Sequence, residues 1–230
     1  EALAARCYWI SLGQLGKLIE ILKREGITQV VMAGQVMHAR IFSSIVPDWR
    51  LIKLLASLPQ RNTDALIGGV ARVLESEGIQ LADSTALLKP LLASEGVMSR
   101  RGPNKGELAD IEYGRRVASA LAGFDIGQSC AICERACVAV EAMEGTDAML
   151  QRAATLANGR PLTLVKSGRR RSHLLFDVPV AGPRTIAIMI ETGTTAMAVD
   201  AGRTLLLDRD EMLARADEAK ISVVGLAPQD

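Results

Sequence analysis

The residues best suited to chemistry sit in one short turn. In VAVEAMEGTDAML, Val138 to Leu150, an apolar strand pattern passes into a helical one, and Glu141, Glu144 and Asp147 stand around Gly145 and Thr146. A structural connection needs only one capping residue there. A helix N-terminus offers backbone N–H groups and the positive end of the helix dipole, which suits a phosphate, and Gly145 lets a phosphate oxygen approach the backbone. Carboxylates in the same turn repel that phosphate unless a hard cation lies between them. Mg²⁺ is commonly held by one or two carboxylates together with substrate phosphates, so the turn points to metal-assisted phosphate chemistry. Lys166, which closes the strand pattern PLTLVK, can reach phosphate as a point charge, and Asp177 stands in the loop FDVPVAGPRT. Each has a simpler reading: Thr and Asp are ordinary helix-start residues, as in NTDAL at Asn62 to Leu66, and a strand-end Lys is usually solvated.

Other chemistries find less support. CAICERAC offers Cys130, Cys133 and Cys137, but a structural zinc site wants four ligands, and Cys7, His38 and His173 supply no evident second pair. The same run reads as a hairpin, SCAIC and CVAVEAM around ERA, in which cysteine is a small apolar strand residue, and buried thiols are the expectation. No Ser or Cys has an evident base and orienter, and neither a G-x-x-x-x-G-K-[ST] loop nor a G-x-G-x-x-G fingerprint occurs. A formal charge of +1 and 3% aromatic residues argue against a nucleic-acid partner. No apolar run approaches a membrane span and no secretory signal is evident, so the expected location is cytoplasmic.

The elements that must position the turn read as α/β. LGQLGKLIEILKREGITQVVMAG is a helix followed by a short strand, PDWRLIKLLASL and NTDALIGGVARVLESEG are helices, the second capped by Asn62 or Thr63, and IQLADST is a strand. ALLKPLLASEG reads as a short helix begun or bent by Pro90. MSRRGPNKGE, rich in Gly, Pro and basic residues, reads as an exposed linker, which divides the chain into residues 1–98 and 99–230. Beyond it LADIEYGRRVASALAGFD is helical, followed by the hairpin, the acidic turn and alternating helices and strands. Strand alternation through the turn puts Glu141 on one face and Glu144 on the other.

VVMAGQV, RNTDALIGGVARVLESEGI, DIEYGRRVA, DIGQ, VAVEAMEGTDAM, LVK and FDVPVAGPRTI, in this order, resemble the LpxI-type UDP-2,3-diacylglucosamine pyrophosphatases of lipid A biosynthesis. The resemblance covers essentially the whole chain. It implies Mg²⁺-dependent hydrolysis of the diphosphate to UMP and 2,3-diacylglucosamine 1-phosphate (lipid X). It also implies two α/β domains joined by a linker, the N-terminal one Rossmann-like but here lacking the family's first, Gly-rich β-α unit. By motif, Asp177 and Asp147 are the implied catalytic residues. Gln128, Thr146, Gly145, Lys166, Gly34, Asp64, Gly182 and Thr185 are implied to bind substrate, and Asp177, Asp147 and Glu144 to hold the metal. The diacylated substrate implies transient contact with the inner-membrane surface on its cytoplasmic face, and a homodimer is among the expected assemblies. The chain departs from the family pattern before Asp177, where RRRSHLL places Ser172, His173 and Leu175 at positions the family gives to Gln, an acid and Arg. A non-catalytic nucleotide-sugar or lipid-phosphate binding protein on the same scaffold is the alternative.

Overall fold

The computed structural model of the chain describes residues 3–34, 46–58, 63–83, 85, 87–124, 126–168 and 178–227. The chain folds as two compact units, residues 1–84 and 85–230.

In the first unit, helices α1 (Leu15–Arg24), α2 (Trp49–Ser57) and α3 (Thr63–Ser76) accompany the short strands β1 (Gln29–Val31) and β2 (Gln80–Ala82). The apolar positions spaced along each helix meet in one cluster, with Leu15 and Ile19 of α1, Leu51 and Leu54 of α2, Leu74 of α3 and Ile79 all buried. Asp48 fixes the entry to α2: its carboxylate accepts from the Leu51 amide at 2.9 Å as an N-cap, and from the Gly16 amide of α1 at 2.6 Å. Strands β1 and β2 pair in parallel, Val30 opposite Leu81. Of the two expected caps, Thr63 is the first helical residue of α3 and Asn62 lies outside the described residues.

The second unit is built on a six-stranded sheet in the order β3-β10-β8-β6-β4-β5. Its strands are β3 (Gly96–Val97), β4 (Ser129–Cys133), β5 (Ala136–Val140), β6 (Leu162–Lys166), β8 (Thr194–Asp200) and β10 (Ser222–Leu226). Strands β6, β8 and β10 run parallel, whereas β4 is antiparallel to both its neighbours and β3 is antiparallel to β10. Two short parallel strands, β7 (Val180–Ala181) and β9 (Leu205–Leu206), pair separately.

Side-chain alternation divides this sheet into two buried faces. Cys130, Ile132, Val165, Ala198 and Val224 point to helix α4 (Lys105–Gly123), which covers them with Ile111 and Ala118. Ala131, Cys133, Leu164, Met197, Val199 and Val223 point the other way, toward α5 (Thr146–Ala157), α6 (Pro183–Glu191) and α7 (Arg209–Glu218). The cysteine-rich run is the hairpin β4–β5, turning at Glu134 and Arg135, with Cys130 and Cys133 buried and Cys137 half-buried.

The basic stretch read as a linker is fastened into this unit. Asn104 and Glu107 form a capping box at the start of α4, the Glu107 amide donating to Asn104 Oδ1 at 2.9 Å and the Asn104 amide to Glu107 Oε2 at 2.8 Å. Arg101 holds the same carboxylate at 2.7 and 2.9 Å and donates to the carbonyls of Thr195 and Lys220, both at 2.6 Å. Burial raises the Glu107 pKa, but Arg101, the Asn104 amide and Thr195 outweigh it and hold the carboxyl below its usual range. Residues 85–98 belong to the second unit too, since Gly96 and Val97 pair with β10 and Leu92 bridges Leu205. Among the described residues of ALLKPLLASEG the helical part is a 3₁₀ turn over Lys89–Leu91, with Pro90 inside it.

Candidate active site

The register brings the ends of β6 and β8 to the same edge of the sheet as the start of β4 and the end of β5, because Lys166 pairs with Ser129 and Cys130 with Val140. In open α/β sheets, ligands bind beyond the carboxyl ends of the parallel strands. The residues singled out in the acidic turn and at the end of PLTLVK meet on this edge.

Lys166 is 5% exposed. Its Nζ donates to Thr146 Oγ1 at 2.7 Å and to Ser129 Oγ at 2.9 Å. A hydroxyl that accepts from an ammonium turns its own proton elsewhere, and Thr146 donates to Glu141 Oε1 at 2.9 Å. Lysine, threonine and glutamate thus form an oriented chain, with the negative end at Glu141. The other carboxylate oxygen, Glu141 Oε2, is shielded from solvent and has no hydrogen-bond partner among the described residues. Leaving a buried carboxylate oxygen unpaired costs roughly 1–3 kcal/mol or more, which marks it as an acceptor suited to a further donor or cation.

The turn departs from the strand alternation expected of it. Strand β5 ends at Val140, and beyond the Glu141 amide, which still donates to the Ser129 carbonyl at 2.9 Å, the chain bends and turns, so the face assignment does not carry through residues 141–145. Glu141 folds back to Thr146, while Glu144 Oε1 accepts from Arg152 at 2.6 Å and its Oε2 from the Ala142 amide at 3.1 Å. Its own backbone N–H, then Arg152, keep the Glu144 carboxyl below the usual carboxylate range. Gly145 is the N-cap of α5 at φ 84°, with open space where a Cβ would stand. That left-handed backbone favours glycine and leaves the α5 amide end uncovered by a side chain at this position. The N-cap position is Gly145, so Thr146 and Asp147, in the first turn, are not serving as the N-cap of α5.

Asp147 pairs with Arg184 of α6 at 2.8 Å. Gly182 is the N-cap of α6, its amide donating to Thr185 Oγ1 at 3.2 Å, so the N-terminal turns of α5 and α6 are joined through Asp147 and Arg184. Gln128 lies on the same edge, its carbonyl accepting from the Ser167 amide at 2.9 Å. Gly34 and Asp64 belong to the first unit. The side chain of Asp64 lies outside the described residues, as do Asp177, Ser172, His173 and Leu175.

The site's fit to Mg²⁺ can be tested on its oxygens. Among the described residues no three His, Cys, Asp or Glu side chains gather as a ready metal cage. Glu144 and Asp147, two of the expected ligands, are each engaged by an arginine. Among the described residues Glu141 Oε2 is a hard oxygen donor without such a competitor, and a cation bound largely by substrate phosphates needs only one or two carboxylates from the protein. The residues present fit such a group, with Glu141 the better-placed carboxylate. Ser129 is the functional candidate that sequence reasoning passed over, and Glu141, noticed among the acids of the turn, was not placed among the implied metal ligands. Their signals were an acid just beyond an apolar strand and a polar residue opening the otherwise apolar SCAIC.

Gly127 holds this corner closed. A Cβ there would collide with the carbonyl group of Glu141, which is backbone and cannot rotate away. Gly127→Ala should therefore destabilise the second unit by about 2 kcal/mol, read as a lowered midpoint in thermal unfolding, because the added methyl forces a backbone shift. An unchanged midpoint would mean that the Glu141 turn moves freely.

The family description of the LpxI N-terminal domain matches residues 1–91 and that of the LpxI C-terminal domain residues 94–224. A protein of Caulobacter vibrioides named UDP-2,3-diacylglucosamine pyrophosphatase LpxI is 33% identical over a stretch covering 96% of this chain and 82% of that protein.

Proposed function

The chain belongs to the LpxI family, and from that premise we propose that it hydrolyses the diphosphate of UDP-2,3-diacylglucosamine in lipid A biosynthesis, with Mg²⁺ as cofactor. One water is consumed, one phosphoanhydride P–O bond breaks, and the products are UMP and 2,3-diacylglucosamine 1-phosphate (lipid X). The observation that carries this reading is the buried Lys166 at the carboxyl edge of the sheet, oriented by Ser129 and Thr146 and balanced through Thr146 by Glu141.

Phosphoanhydride hydrolysis asks for positive charge on the phosphates and an oriented water, with little covalent chemistry from the protein. Lys166 supplies a fixed ammonium in a site shielded from solvent, where its field is weakly screened. The amide end of α5, with glycine as its N-cap, adds N–H donors for a phosphate oxygen. Glu141 has an oxygen free to hold the cation, and Asp177, the position matching the family's critical acid, orients the water or the metal. Mg²⁺, when bound, would neutralise phosphate charge and polarise the phosphoryl oxygens. Thr146 keeps the lysine and the glutamate apart while linking them, so neither neutralises the other by direct contact.

The substrate's two acyl chains imply delivery from a bilayer, and we take the protein to be cytoplasmic with transient contact at the inner-membrane surface. Among the described residues no helix is long and apolar enough to cross a membrane. Both tryptophans, Trp9 and Trp49, are exposed in the first unit, at 81% and 75%, and suit an interfacial contact.

The deciding experiment is UMP release from UDP-2,3-diacylglucosamine with Mg²⁺, with excess EDTA, and by the Asp177→Ala variant. Release that depends on the metal and disappears in the variant is the expected result. A folded, metal-supplied enzyme that binds the substrate and releases no UMP would establish a binding protein on this scaffold, the reading that the altered RRRSHLL segment favours.

A further inference from the structure

Beyond the Lys166 chain, the same edge of the sheet holds a second buried charge that no part of the reaction above uses. Asp200 is the last residue of β8 and is 3% exposed. One carboxylate oxygen, Oδ2, accepts from the Ser167 hydroxyl at 2.7 Å and from the Gly168 amide at 3.0 Å. The other, Oδ1, lies 3.8 Å from the guanidinium of Arg115 on α4. Arg115 also donates to the carbonyl of Ala227, the residue after β10, and its Nε is buried without a partner among the described residues. One carboxylate thereby fastens the ends of β6, β8 and β10 and the helix above them.

Those strands do not need it for pairing. They are held by parallel ladders over five paired positions on each side of β8. Desolvating a carboxylate and a guanidinium costs several kcal/mol, and a packed apolar pair commonly stabilises a fold as well or better. What the charge adds is direction at the turn after Lys166. Ser167 is bonded by its side chain to Asp200 and by its amide to the Gln128 carbonyl at 2.9 Å, so the carboxylate sets the level of two neighbouring candidate substrate contacts at once.

We propose that Asp200 is a positioning residue for the reaction: by gripping the Ser167–Gly168 turn it sets where Lys166 and Gln128 meet the diphosphate, without touching substrate itself. This rests on the pyrophosphatase reading above.

Three variants separate positioning from mere stabilisation. Asp200→Ala removes every contact, Asp200→Asn can keep an oxygen toward Ser167 and Gly168 while losing the charge toward Arg115, and Ser167→Ala removes one bond and leaves the ion pair intact. The measurements are kcat and KM for UMP release, the unfolding midpoint, and amide hydrogen exchange at Gly168. Because a misplacement of about 1 Å can cost about 100-fold in rate, kcat should fall about 10- to 100-fold in Asp200→Ala, with KM moving far less. Ser167→Ala should show part of that loss, Asp200→Asn less than Asp200→Ala, and Gly168 should exchange faster in Asp200→Ala. Variants with lowered midpoints but parental kcat and KM, or unchanged exchange at Gly168, would overturn the proposal. If Asp200→Ala does not fold, Ser167→Ala decides it by the same kinetic criterion. Absence of UMP release from the parent enzyme is a different result, which sinks the pyrophosphatase reading and the positioning role together.

Discussion

Replacing Lys166 by methionine should lower kcat/KM for UMP release by about two to three orders of magnitude, the loss typical when one fixed donor to a developing oxyanion is removed. The argument is electrostatic. Lys166 is buried, and two hydroxyls fix its ammonium, so it needs no reorganisation as charge moves onto the phosphate oxygens. Methionine occupies a similar volume but leaves Glu141 without its counter-charge and Ser129 and Thr146 without a donor, so the unfolding midpoint should fall as well. Steady-state kinetics beside thermal unfolding separates the two effects. Parental kcat/KM in the variant would reduce Lys166 to a structural partner of Thr146.

The second large effect is a contrast between two neighbouring glutamates. Glu141→Gln should lower kcat about 100-fold and raise the Mg²⁺ concentration needed for half-maximal activity, since it exchanges the orphaned carboxylate oxygen for an amide. Glu144→Gln should cost no more than about 3-fold, because both of its oxygens already serve Arg152 and the Ala142 amide at an exposed position. Titrating Mg²⁺ into each variant during turnover makes the comparison. The opposite order would return the metal to the EGTD turn and leave Glu141 as a charge balance for Lys166.

Much of the scaffold was legible because its signals are local. The hairpin, α4 and the PLTLVK strand followed from period and length, and the acidic turn was found because it holds more carboxylates than a cap needs. Three features stayed hidden for physical reasons. The destination of Glu141 depended on where β5 stops, and an apolar–polar alternation does not encode that end. Asp200 reads as an ordinary acid after TAMAV, because its partners Ser167 and Arg115 are distant in sequence. The stretch around Arg101 has linker composition, yet its contacts lie 94 and 119 residues away, at Thr195 and Lys220. Composition reports how willing a segment is to be solvated, and long-range partners decide whether it is.

The strand β3 carries a consequence for anyone dividing the protein. Residues 92–99 are threaded against the far end of the chain: Ala93 exchanges backbone bonds with Thr204 and Gly202, the Met98 amide donates to Val223, and the Ser99 hydroxyl accepts from the Val223 amide. The Ser94 carbonyl lies where a Cβ on Gly225 would stand, so only glycine fits that position of β10. A fragment cut at residue 99 would keep every candidate site residue of the second unit and lose this strap. The bare rim of β10 would then present unpaired amides and carbonyls to other molecules, a template for self-association. Solubility of the excised piece would thus turn on a handful of residues remote from the chemistry.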